Sequence, residues 1–139
     1  MNRLESLNGG SPSGSRFAAA YTWPAIGLIG AVALIHLIDA PEYYGEVPYI
    51  GILFVVSAVA AIVAAVGIVR NQRWGWQLGA AVSAGTAVGY VLSRTVGIPM
   101  FRENDLAHFL EPIGIASLVV EVAFLVVAWQ ALSSKRPVS

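Results

Sequence analysis

His36, Arg94 and Glu121 are ionisable residues set in stretches that otherwise carry almost no charge. An ionisable group in hydrocarbon costs roughly 2.5–3.5 kcal/mol on insertion scales, so each is expected to face protein or water and to have a partner. Together they could bind an anionic or carbonyl group through the guanidinium and accept a proton or cation at the carboxylate. An Arg94–Glu121 pair also has a structural alternative, in which two buried charges neutralise each other and fix helix register.

Two further patterns point to metal or redox chemistry. His36-x-x-Asp39 and His108-x-x-Glu111 each place an imidazole and a carboxylate on neighbouring positions of a helical turn, a spacing that can chelate a divalent metal. Haem b needs an axial ligand, commonly histidine, and His36 with His108 is the pair available for it. The cofactor expectation is therefore haem or a divalent metal. Cysteine is absent, which excludes disulfides, thiolate ligands and cysteine nucleophiles. Neither a Ser–His–Asp arrangement nor a glycine-rich phosphate loop is present, so acyl transfer and nucleotide hydrolysis have no support.

The elements that must position these residues are four apolar runs. The chain has 139 residues, 57% of them hydrophobic and 12% charged, with a mean hydropathy of +0.71. That balance is too apolar for a soluble domain with a charged surface. Runs 21–39, 49–69, 75–98 and 113–132 each meet the ~20 residues needed to cross a ~30 Å hydrocarbon core, the first only if it is little tilted. Residues 1–20, which include a Gly/Ser-rich stretch, read as a disordered tail, and 134–139 as a second tail. The expected fold is an all-α membrane protein, an antiparallel four-helix transmembrane bundle over 21–133. Net charge is zero, so nucleic-acid binding is not suggested.

Orientation follows from Lys and Arg, which are retained on the cytoplasmic side. Arg3, Arg16, Arg70, Arg73, Lys135 and Arg136 fall in the tails and the second connection, whereas the first and third connections are acidic. Both termini are thus expected to be cytoplasmic. Trp23, Trp74, Trp76 and Trp129 fall at the inner ends of the spans and Tyr43, Tyr44 and Tyr49 at the outer ends, as interfacial aromatics do. Prolines Pro41, Pro48, Pro99 and Pro112 bound the helices on the outer side.

Helical periodicity then sorts the faces. Ser83, Tyr90 and Arg94 lie within about 40° of one another on the third run. Ala81, Gly85, Gly89 and Ser93 form a second stripe of small residues, expected to pack against a helix of the same chain or of a second copy. On the fourth run, Gly114, Ser117, Glu121 and Ala128 make a small and polar stripe. Glu121 lies about 13 Å in from the outer end, and Ser57 reaches a comparable depth on the second run. His36 and Arg94 lie only about 6 Å in. The third connection could carry a short helix, capped by Asn104 or Asp105, whose Leu106, Phe109 and Leu110 form a lid. The candidate pocket is therefore His36, Ser57, Ser83, Tyr90, Arg94, Ser117 and Glu121, in the outer half.

The strings His36-Leu37-Ile38-Asp39-Ala40-Pro41-Glu42-Tyr43-Tyr44, Tyr49-Ile50-Gly51-Ile52-Leu53-Phe54, Arg73-Trp74-Gly75-Trp76 and Ser93-Arg94-Thr95-Val96-Gly97-Ile98-Pro99 resemble small four-span bacterial inner-membrane proteins with no assigned activity. The resemblance implies topology and a multi-pass setting in the bacterial cytoplasmic membrane, and no catalytic residues. The leading expectation is a non-enzymatic protein whose outward-facing polar pocket binds a small molecule or ion, or which serves as an accessory subunit of a membrane complex. A redox protein using His36 and His108, and an oligomerising scaffold built on Gly85 and Gly89, are the alternatives.

Overall fold

The structure, a computed structural model, describes residues 13–98 and 111–134, with side chains from Ala20 onward in the first helix. The described residues form four long helices: α1 (Ser13–Glu46), α2 (Pro48–Val69), α3 (Arg73–Arg94) and α4 (Pro112–Ser134). Three of them, α1 from Ala20, α2 and α4, are long and apolar enough to cross a membrane. α3 has the length, at 22 residues, but four glycines with Gln77, Ser83, Thr86 and Ser93 lower its apolarity.

The boundaries differ from the sequence expectation at both ends of α1. The helix is already formed at Ser13, inside the segment read as a tail. It also runs through Pro41 to Glu46 instead of stopping at Asp39. Proline forfeits one backbone hydrogen bond and crowds the preceding turn, a cost of ~3 kcal/mol that packing in a long helix can offset. Because α1 continues, the first connection shrinks to Val47, whose extended backbone leads into Pro48 at the first turn of α2. Proline there gives up only an N–H that has no intrahelical acceptor.

α2 ends in a Schellman turn. Gln72 N–H donates to the Gly67 carbonyl at 2.8 Å and Asn71 N–H to Ile68 at 2.9 Å. Asn71 takes the left-handed conformation this requires, with φ 55°. α3 ends at Arg94, four residues before the expected boundary, and Gly97 turns the chain with φ 84°. The lid expected at 104–110 lies outside the described residues.

Each helix packs mainly on two neighbours, α1 on α2 and α4, and α3 on α2 and α4, so the four close a ring. One half of that ring is solid. There Trp76 and Phe124 stack with centroids 6.5 Å apart, among Ile29, Ile68 and the buried alanines of α2 and α4. Trp76, expected at the membrane interface, is instead fully buried, while Trp23, Trp74 and Trp129 remain exposed. The reason is the glycine beside it: Gly75 of α3 sits against Gly67 of α2, and that close approach carries the next side chain inward.

The stripe Ala81, Gly85, Gly89 and Ser93 does not pack as expected within the chain. A Cβ at Gly85 or Gly89 would meet nothing within 4 Å, whereas one at Gly75 would fall 2.5 Å from the Gly67 backbone. Gly75→Ala should therefore destabilise the protein by about 1–3 kcal/mol through overpacking. Gly85→Ala should be neutral or stabilise by about 0.5–1 kcal/mol through helix propensity. Reversible unfolding in detergent, with both variants run side by side, measures the contrast; equal effects would contradict the packing described.

Candidate functional site

The other half of the ring is hollow. Where α1 and α2 are joined, the four helices enclose a cavity of about 370 Å³. Small residues create it: Ser57 on α2, Gly85 and Gly89 on α3, and Gly114 and Ser117 on α4 all line the space. Its walls are otherwise apolar or aromatic, and its charged groups sit in two layers.

The floor is His36, Glu121 and Ser117. Glu121 is 1% exposed and His36 4%. His36 Nδ1 lies 2.8 Å from the Val32 carbonyl, which can only accept, so Nδ1 carries the proton. The other ring nitrogen, Nε2, then faces Glu121 Oε1 at 3.8 Å. Ser117 donates its hydroxyl to the same carboxylate oxygen at 3.0 Å, one helical turn away on α4. Phe54 meets the His36 ring edge-on, with centroids 5.0 Å apart, and so fixes its plane. Thr86, whose hydroxyl donates back to the Val82 carbonyl at 2.9 Å, lies beside the carboxyl group.

The upper layer is built around Arg94. Its guanidinium donates to Ser93 Oγ at 2.9 Å and to the Tyr43 hydroxyl at 3.2 Å. Its central carbon lies 3.8 Å from the centroid of the Tyr90 ring, a cation–π contact, and one nitrogen is 4.0 Å from Glu111. Gly114 makes room for Tyr90, since a Cβ there would fall 2.6 Å from the ring. Asp39, half-buried, shares this layer with Glu111 and Arg94.

The expected Arg94–Glu121 pair is therefore replaced by two separate groupings. The cause is the length of α1. With the helix ending at Glu46, His36 stands ten residues from its end and Glu121 nine from Pro112, so the two share a depth. Arg94, the last residue of α3, stays at the rim.

Six of the seven expected pocket residues do line the cavity: His36, Ser57, Tyr90, Arg94, Ser117 and Glu121. Ser83 does not; it is fully buried outside the cavity, and its hydroxyl has no hydrogen-bond partner in the structure. Tyr43, Phe54 and Thr86 are among the residues sequence reasoning missed. Tyr43 sits seven residues after His36, two turns on and on the same face, a spacing that becomes visible only once the helix is allowed through Pro41.

His36, Asp39 and Glu111 line the same cavity, but among the described residues no group of three or more His, Asp or Glu side chains is placed to hold a metal. His108, the fourth member of the expected metal set and the second of the haem pair, lies outside the described residues.

The two-layer arrangement makes a measurable statement about coupling. In double-mutant cycles on unfolding free energy, His36→Gln with Glu121→Gln should show an interaction of about 0.5–3 kcal/mol. Arg94→Gln with Glu121→Gln should add to within about 0.5 kcal/mol, as sites without shared partners do. The opposite order would restore the direct arginine–glutamate pair.

No family model matches the chain, and no curated protein or solved structure matches it either.

Proposed function

We propose that the chain is an antiparallel four-helix transmembrane bundle of the bacterial cytoplasmic membrane, with both termini inside, and that its cavity binds a small molecule in the outer half of the bilayer. Several features support the membrane part. Apolar side chains such as Ile52, Val56, Val59, Val119 and Val126 are exposed around the outside, where lipid would cover them. α3 is held between α2 and α4, so it crosses with them although it is the most polar of the four. Arg70 and Arg73 flank the Asn71 turn at the opposite end from the cavity, and basic residues favour the cytoplasmic face.

The binding part rests on one observation: a cavity of about 370 Å³ in which the buried His36–Glu121–Ser117 cluster forms the floor. Helices joined only for support would gain by filling this space, since packing and hydrogen bonds are what hold spans together in lipid. A cavity of this size with apolar walls and a few convergent polar groups has the anatomy of a ligand site. The site is that of a binder, with the cavity holding its occupant.

Two measurements test this. The chain has no cysteine, so Gly45→Cys and Ser134→Cys each introduce a single thiol. A membrane-impermeant maleimide should label the first in intact cells and the second only after permeabilisation; the reverse would invert the topology. Native mass spectrometry of the purified protein should find a small molecule that is retained by the wild type. Glu121→Gln should weaken its retention about tenfold or more, the weight of one charge-assisted hydrogen bond. Unaltered retention in both Glu121→Gln and Arg94→Gln would remove the cavity as its site.

A further inference from the structure

The cavity is open on one side. α2 and α3 are in close contact at Gly67 and Gly75, with the Trp74 ring laid against Gly67. Gly85 follows Trp74 by eleven residues, which at 100° per residue returns to within about 20° of the same side, so Gly85 also faces α2. Here, however, a Cβ at Gly85 or at Gly89 would meet nothing within 4 Å. On the α2 side, Leu53 is 53% exposed, and Ala81 and Gly85 opposite are exposed as well, yet all three line the cavity. The edges of this gap are apolar, and it opens where lipid would lie.

The floor selects the chemistry of what enters. Since Val32 takes the His36 Nδ1 proton, the imidazole in its neutral form presents a lone pair at Nε2, and 3.8 Å away stands a carboxylate oxygen. Two acceptors at that separation call for a donor between them. The cavity carries the carboxylates of Asp39, Glu111 and Glu121 against the single guanidinium of Arg94 among the described residues. That guanidinium is engaged by Tyr43, Ser93, Tyr90 and Glu111. An anionic head would thus meet a net negative floor, whereas an ammonium group would supply donors and the missing charge. Phe54, beside His36, and Tyr43, 4.8 Å from Phe54 between centroids, add aromatic wall to the same cavity.

We propose that the cavity takes an amphiphilic amine from the lipid, admitting it between α2 and α3 and holding its ammonium group between His36 and Glu121. This rests on the reading of the cavity as a binding site and adds the class of ligand and its path.

The test uses the full chain in liposomes, with Ser57→Cys as a lone thiol on the cavity wall. An alkyl maleimide dissolved in the bilayer reads access, and dodecylamine and dodecanoate serve as probes of matched tail and opposite charge. Dodecylamine should slow labelling about tenfold or more, in keeping with a charge-assisted contact, while dodecanoate should not. Adding Glu121→Gln should remove the protection. Equal protection by both probes, or protection unchanged by Glu121→Gln, would overturn the amine assignment.

The path is read without any ligand. Gly85→Leu, whose Cβ would meet nothing within 4 Å, should slow labelling from the bilayer about tenfold by filling the gap, without lowering the unfolding temperature. Labelling unaffected by both Gly85→Leu and the bulkier Gly85→Trp would overturn entry between α2 and α3. Protection by no amphiphile of either charge would overturn the amine, while the loss of small-molecule retention described above separately tests the site itself.

Discussion

Two hydrogen-bond acceptors facing each other across 3.8 Å govern the site: the unprotonated nitrogen of His36 and the carboxylate of Glu121. The confrontation follows from a third acceptor, the Val32 carbonyl, which takes the only proton a neutral imidazole has to give. Water would normally resolve such a pair, but a side chain that is 2% exposed on the glutamate has little recourse to it. At 3.8 Å the two are too far apart to share one proton, so the arrangement is satisfied by a donor placed between them. Ser117, bound to the same oxygen, holds the carboxylate in place without completing it.

Around this point the helices divide their labour by side-chain size. At the filled end, Gly67, Gly75 and Gly79 draw backbones and rings together, so Trp76 and Phe124 occupy the interior. At the hollow end, Gly85, Gly89, Ser57 and Ser117 line the space instead, and a Cβ at either glycine would meet nothing within 4 Å. The same residue type thus has two opposite effects in α3, decided by what stands on the neighbouring helix. Arg94 closes the hollow end from above, its guanidinium spread over Tyr90 and tied to Tyr43.

Much of this was legible in the chain. Apolar runs located α2 and α4 to within two residues, since few polar positions interrupt them, and rare charges singled out His36, Arg94 and Glu121. What failed did so for identifiable reasons. Pro41 reads as a helix end by local rules, so His36 reads as too shallow to meet Glu121 and Arg94 reads as the partner of that glutamate, yet α1 continues past Pro41. The spacing of Gly85 and Gly89 suggests contact with a helix of the same chain or of a second copy, because small residues every fourth position permit it. Within the chain it is Gly67 and Gly75 that meet, and only the neighbour's own glycines reveal that. Trp76 reads as interfacial by its type, whereas Gly75 beside it, packed on Gly67, leaves its side chain in the interior.

The contact between Gly67 and Gly75 also sets a mechanical ratio. Ser57, at the open side of α2, stands ten residues from Gly67, a lever arm of about 15 Å at helical rise. A tilt of about 4° about that contact would change the gap at Ser57 by about 1 Å while moving the backbones at Gly67 hardly at all. The Asn71 turn lies beyond that contact and the Trp76 ring one residue from it, so both stay close to the pivot. The two glycines thus hold α2 and α3 together at one end, while the gap between Leu53 and Gly85 lies at the far end of the arm.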